Sequence, residues 1–442
     1  MPELRRELRL RDLVFFNICA IAGLRWLAAA AHAGPGTLVL WALAALFFFV
    51  PSYFVVARLS ALFPEEGGMY VWTRRAFGDL HGFLCSWLYF ISSILYFPSL
   101  LLAGIVMAAY VFGDRAAGFA EAPAFALPAT LAILWALMLA NLFGLRVAKW
   151  ILIVCGASTF VVAGLLMVIA AATAIRNGSA TRFHLLPQAR FDTLNLWSQI
   201  AIAFSGLELA PVMSGEIRNP RRDLPRAGVV SGFACALFYI GGTAAMLVLA
   251  APQAISPTSG LAQAGAAAAA QWRLPLLSVV FAALISLSVA GQLCTYIAGN
   301  MRLPYAIGLD HYLPDAFALL HPRWGTPWVS LLVQGAVATA FLAMAQLGET
   351  VRAAYQILVD MMVISTMIPF AYIFASGLRF ASRPAAAAGL LVTLVAIALS
   401  LAPPPEAASA PSFELKVVGG CVLFIVVGWL VFRKYRVRVE SH

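Results

Sequence analysis

Charge is what this chain has least of. Asp, Glu, Lys and Arg make up 11% of its 442 residues, against about a quarter in soluble globular domains. With 62% hydrophobic residues and a mean hydropathy of +0.90, a soluble globule is excluded and a polytopic helical membrane protein is indicated. Strand-like alternation is missing as well. Several apolar runs pass twenty residues, the length a helix needs to cross a bilayer, so a β-barrel is excluded. Cysteine is sparse: Cys19, Cys85, Cys155, Cys235, Cys294 and Cys421 fall singly in apolar segments, and without C-x-x-C spacing they indicate neither a disulfide framework nor a metal site. No G-x-x-x-x-G-K-[ST] occurs, which speaks against a nucleotide-driven pump. No His/Asp or Ser/Lys constellation in the apolar runs suggests an intramembrane enzyme, and no cofactor is expected.

The net charge of +10 could suit nucleic acid, but the basic residues sit in short loops between apolar runs, so orientation in a lipid bilayer explains them and no nucleic-acid partner is expected. The N-terminal MPELRRELRLRD is basic, and the apolar stretch after it lacks a cleavage-site pattern; it is expected to be a retained first helix. Apolar runs and their Gly, Pro and charge punctuation predict twelve spans, near 12–33, 36–62, 79–112, 125–143, 149–174, 193–213, 226–250, 275–300, 327–346, 352–378, 385–402 and 415–433. The 29 lysines and arginines concentrate in the segments of one side. By the positive-inside rule both termini are then cytoplasmic, and the protein is placed in the plasma (inner) membrane.

The stretch 203–225, AFSGLELAPVMSGEIRNPRRDLP, organises the rest. Apolar residues on both sides of Ser205 and Gly206 read as two pieces of one spanning helix. A helix can unwind in lipid only where its freed backbone groups face protein or a water-filled cavity. Beside the break stands Glu208, a carboxylate that costs several kcal/mol at mid-bilayer and marks a functional path or a structural ion pair. A second break lies in the first span, where the small residues Ala20, Ala22 and Gly23 precede a charged Arg25. The two breaks are about 180 positions apart, each in the first of five successive spans, and an odd repeat inserts its second copy upside down. The expected architecture is all-α: a first inverted repeat over 1–178, a second over 190–380, two further helices over 384–434 and a short tail over 435–442.

Three connectors stand out. Pro64 and the paired glycines of 64–72 precede an amphipathic segment over 69–77, with Tyr70, Trp72 and Phe77 apolar and Arg74 and Arg75 toward headgroups. The loop 216–226 mixes both charge signs and is either a set of ion pairs bracing a closed state or a solvated face. The connector 301–314 carries Asp310 and His311, read as surface residues, and 252–274 is read as an Ala/Gln/Ser-rich outer segment.

These features resemble the amino acid, polyamine and organocation transporter superfamily. The resemblance is carried by P-E-E-G-G-M-Y-V-W at 64–72, by F-S-G-L-E at 204–208 running into G-E-I-R-N-P-R-R-D-L-P-R-A at 215–227, and by R-L-P-Y-A-I-G-L-D-H-Y-L-P at 302–314. It implies twelve spans, a five-plus-five inverted repeat of LeuT-like form and amino acid transport. Where many members carry G-S-G-I-F, this chain has 20–26 as A-I-A-G-L-R-W; Leu24, Arg25 and Leu27, with Gly34 after them, are more similar to the glutamate:GABA antiporter branch.

A zwitterion needs donors for its carboxylate and acceptors for its amine, and broken helices offer both. The resemblance implies that the backbone of Ala22, Gly23 and Leu24 holds the carboxylate and that carbonyls near Ala20, Ile21, Phe204 and Ser205 hold the amine, with Gly206 between. Arg25 then binds a second carboxylate or pairs with Glu208, the pair being favoured. Ser92, Ser93, Tyr96 and Phe97 match the substrate-facing part of the third helix, and Ile202 stands where some members have an aromatic gate. Gln292, Tyr296 and Tyr355 are further candidates. For coupling to a proton or sodium ion the candidates are Glu208, Asp360, and Ser158 or Thr159 at the place where several members carry a lysine. The leading expectation is a secondary active amino acid transporter, permease or antiporter; the alternatives are polyamine or organic amine transport and a non-transporting sensor on the same fold.

Overall fold

A computed structural model describes residues 4, 6–109, 114–120, 122–184, 186, 191–257, 259–346, 351–401 and 410–439. It is helical, and among the described residues the single β-bridge joins Leu8 to Ile217. The helices are α1 (Leu10–Ile21), α2 (Leu24–Ala33), α3 (Thr37–Ala44), α4 (Val50–Leu62), α5 (Met69–Phe77), α6 (Asp79–Ala109), α7 (Asp114–Ala120), α8 (Pro123–Leu142) and α9 (Leu145–Asn177). They continue as α10 (Phe191–Ala203), α11 (Pro220–Leu249), α12 (Gly260–Gln271), α13 (Leu276–Asn300), α14 (Arg302–Leu309), α15 (Trp328–Gln346), α16 (Val351–Phe380), α17 (Arg383–Ser400) and α18 (Ala410–Val439). Among the described residues, eight helices are long and apolar enough to cross a membrane, or nine if the bent pair α1–α2 counts as one span. Trp328–Met344 and Ile364–Phe380 are shorter apolar stretches.

Burial divides these helices into an inner set and an outer shell. In α6, 94% of the most apolar window is buried inside the protein, against 17% in the last helix, so α6 runs through the centre and α18 presents its flank outward. α6 packs against α16 and α13, α13 against α9, and α1 against α11. Small residues allow the closest approaches: a Cβ on Gly104 of α6 would sit 2.7 Å from Val289 of α13. In lipid, where apolar burial gives no drive between helices, such close packing is what holds a bundle together.

The connectors are more ordered than their composition suggests. Segment 252–274, expected as an outer loop, contains a short 3-10 turn and α12, because GLAQAGAAAAAQ is rich in alanine, the strongest helix former. α5 forms as expected, but Tyr70 and Trp72 are buried against protein while Phe77 is exposed. Arg74 pairs with Asp79 at 2.8 Å and with Asp310 at 2.5 Å, and Tyr70 donates to Asp310 at 2.7 Å. Asp310, expected to be a free surface residue, is therefore half-buried and locks α5 to the end of α14. Glu216 and Arg302 form a buried ion pair at 2.7 Å, so at this point the loop after the second break is braced rather than solvated.

Candidate functional site

The first break follows directly from its residues. Ala22 still donates to Ile18 O at 2.7 Å, but Gly23 is extended (φ −90°, ψ 110°) and α2 restarts at Leu24 with a bend of 40°. A Cβ on Gly23 would lie 2.6 Å from Trp26 Cδ1 and 3.3 Å from Gln292 Nε2, so only glycine lets these side chains close in.

The second break is sharper. α10 ends at Ala203, Phe204 and Ser205 donate back to Ala201 and Ile202 at 3.2 and 2.8 Å, and Gly206 takes φ +123°, a conformation nearly reserved for glycine. A 3-10 helix over Ala210–Glu216 follows. A Cβ on Gly206 would sit 2.8 Å from Ala20 C and 2.9 Å from Ala20 O. The two breaks therefore touch, main chain against main chain.

One side chain that the sequence did not single out ties them together. The hydroxyl of Tyr239, on α11, accepts from Gly23 N at 3.0 Å and lies 2.5 Å from Ile21 O and 2.9 Å from Ala203 O, sharing its one proton between them. Its ring stacks on Trp41 at 4.1 Å and meets Phe204 edge-on at 5.2 Å. Tyr296 donates to Ala20 O at 3.1 Å. Main-chain groups freed by the breaks are thus largely met by tyrosine hydroxyls, as buried polar groups must be.

Glu208 caps its own break. Both carboxylate oxygens accept from Gly206 N at 2.9 Å, and Oε1 accepts from Tyr89 OH at 2.7 Å. Its described partners do not include Arg25. The Arg25 guanidinium donates to Ser99 Oγ at 3.1 Å and lies over the rings of Trp26 and Tyr96 at 4.1 and 4.8 Å, so the favoured pairing of Arg25 with Glu208 does not form. The physical reason is that Glu208 is already satisfied locally, by a backbone N–H and a phenol.

Beside the touching breaks lies a cavity with about 390 Å³ of space not filled by atoms, part of it continuous with solvent. Its wall contains Ala20, Ile21, Ser92, Ser93, Tyr96, Ile202 and Ser205 among the expected residues, and also Gln292 and Tyr296. Trp26, Tyr89, Ala203 and Thr366 complete it. Tyr89 lies on the same face of α6 as Ser92, Ser93 and Tyr96, three, four and seven residues on, a spacing that was open to recognition. Ala22, Gly23, Leu24, Arg25, Phe97, Phe204, Gly206 and Glu208 are buried but not part of the wall. Of the expected carboxylate donors, Ala22 and Gly23 are bonded within the protein, whereas Leu24 begins α2, where first-turn N–H groups lack intrahelical acceptors.

Of the coupling candidates, Thr159 and Ser288 place their hydroxyls 2.5 Å apart between α9 and α13, while Ser158 donates to Val154 O on its own helix. The side chains of Tyr355 and Asp360 lie outside the described residues. Among the described residues no group of His, Cys, Asp and Glu is placed to hold a metal.

The amino acid permease family model matches residues 8–423. The chain belongs to that family. This permease is 25% identical to an uncharacterized transporter of Legionella pneumophila, over 98% of both chains. It is 21% identical to the probable agmatine/putrescine antiporter AguD of Lactococcus lactis, over 100% of this chain and 98% of that protein. It is also 25% identical to the glutamate/serine transporter AimA of Bacillus subtilis, over 77% and 66%. The permease is a multi-pass membrane transporter of the amino acid, polyamine and organocation superfamily, moving a small molecule, and not an enzyme.

Proposed function

We propose that this permease is a secondary active transporter of an amino acid, working by alternating access with the substrate held at the two helix breaks. The observation that carries the reading is the contact of Gly206 with the Ala20 main chain beside the cavity, the arrangement in which discontinuous helices offer N–H and C=O groups to a zwitterion. The substrate carboxylate goes to the start of α2 and the amine to the carbonyl side near Ala20 and Ser205. Ile202 supplies no ring at the wall, so closure over the substrate rests on Trp26, Tyr96 and Tyr296. Twelve spans in a five-plus-five inverted repeat, cytoplasmic termini and a plasma-membrane location complete the reading. Thr159 with Ser288, Glu208 and Asp360 are its candidates for coupling to sodium or a proton.

Organic amine transport is the second reading, supported by the name of the Lactococcus relative and by an aromatic wall of Trp26, Tyr89, Tyr96 and Tyr296, whose ring faces suit an ammonium group. Uptake into proteoliposomes of labelled amino acids, putrescine and agmatine, under imposed proton or sodium gradients and in exchange mode, separates the readings. Amino acid uptake without amine uptake is expected. Uptake of the amines alone would overturn the first reading, and no uptake in any mode would overturn both.

A further inference from the structure

A cluster of buried charge lies away from the cavity, at the end of the molecule that carries the N-terminus. Glu66, in the turn between α4 and α5, accepts from Gly215 N through Oε2 at 2.6 Å, while its Oε1 is buried with no partner among the described residues. Glu216 is held by Arg302 Nη2, at 2.9 Å to Oε1 and 2.7 Å to Oε2. Arg302 also donates to Ala298 O through Nη1, and its Nε is buried without a partner among the described residues; the residue is 1% exposed. Over this cluster lies the N-terminal segment. Leu8 donates to Glu216 O at 3.0 Å, Arg218 donates to Leu8 O at 3.1 Å, and Leu4 packs beside Gly215.

Among the described residues, Glu66 and Glu216 share one guanidinium, that of Arg302. From the N-terminal segment Glu7 faces Glu216, from the turn comes Glu66, from the 3-10 end Glu216, and from α14 Arg302 and the neutral phenol of Tyr305. Glu65, next in the turn, is exposed and engaged with Arg75. Among the described residues that guanidinium is bonded to Glu216, so an ionised Glu66, half-buried with its Oε1 shut away from water, would leave a surplus negative charge, which is costly. A proton on Glu66 removes the surplus.

We propose that Glu66 is a proton-binding site that couples closure of this end of the permease to pH: the bridge between Leu8 and Ile217 closes with Glu66 protonated and opens with release of that proton to water. The inference rests on the alternating-access reading above for its use in transport, but not for its detection. Burial, with Glu216 adding to it, pushes the Glu66 carboxyl up from 4.5 to about 8, and opening hydrates it and returns it toward the ordinary value. The sign follows. A group whose value is raised in the closed form favours that form at acid pH. The preference is lost as pH rises through the window from 4.5 to about 8, by about tenfold per unit for one linked proton.

Hydrogen exchange of the Leu8 and Arg218 amides, corrected for intrinsic rates, in the purified full chain between about pH 5 and about pH 9.5 tests this across the raised carboxylate range. Protection is expected to fall about tenfold per unit and level off above about pH 8, while Glu66→Gln holds the acid-limit protection throughout. A pH-independent wild type, or a Glu66→Gln protein with the wild-type slope, overturns the proposal. Should Glu66→Gln fail to fold, the infrared absorption of protonated carboxyl groups in the wild type decides. A component lost near pH 8 supports the site, and no loss there overturns it. These readouts need no substrate, so a silent uptake panel with a normal exchange slope would remove the transport reading and leave the proton site.

Discussion

Removing a single atom, the hydroxyl oxygen of Tyr239, strands Gly23 N–H and the carbonyls of Ile21 and Ala203. A buried donor or acceptor left without a partner costs about 1–3 kcal/mol, and some of the three would find relief in rotation or water. Tyr239→Phe is expected to lose about 2–3 kcal/mol, seen as a lower melting temperature in detergent, together with most uptake; an unshifted melt would refute the role of this hydroxyl as the tie between the breaks. Gly206→Ala tests the second break. A side chain at φ +123° and 2.8 Å from the Ala20 main chain adds strain of about 1–3 kcal/mol, so folding yield and uptake should both fall. Gly164→Ala is the control, since nothing lies within 4 Å of a Cβ at that exposed position of α9, and the replacement should gain about 0.5–1 kcal/mol of helix stability. Both breaks were legible because small residues interrupting an apolar run are a local signal. Tyr239 was not, because its partners lie as far as 218 positions away in sequence and nothing around it differs from other helix residues.

At the scale of elements, the position of the cavity wall depends on how closely α13 meets α9. Gly291 faces Cys155 so tightly that no side chain fits between them. The next residue, Gln292, and Tyr296 one turn on, reach the cavity. Gly291→Val is therefore expected to act twice: it overpacks the helix pair, at about 1–3 kcal/mol, and it shifts α13 so that Tyr296 loses Ala20 O. A binding measurement by ligand-induced thermal shift should show weaker response than Gly164→Ala at equal protein quality. An unchanged shift would mean that the wall is insensitive to this spacing. The helices themselves follow from apolar periodicity. What composition did not disclose was the order of the connectors: α12 was hidden by reading alanine and glutamine as loop, and the tie of Arg74 to Asp310 joins elements 236 positions apart, beyond the reach of any local pattern.

For the molecule as a whole, orientation decides what the buried charge cluster senses. The basic bias assigns Arg221 and Arg222 to the inner face and 252–274 to the outer one, and the rule behind it concerns short loops such as these. All six native cysteines are buried, so a cysteine introduced at an exposed position reports its own side with little background. Gln271 and Arg222 are both exposed. Gln271→Cys should react with a membrane-impermeant maleimide on intact cells, and Arg222→Cys only after permeabilisation. Because Arg222 and the Glu66 cluster flank the same 3-10 segment, that result puts the proton on Glu66 in exchange with the cytoplasm, and closure of this end then follows internal pH. The reverse labelling pattern would turn the molecule over and make the same carboxyl a sensor of external pH, with the substrate cavity opening past it in the opposite sense.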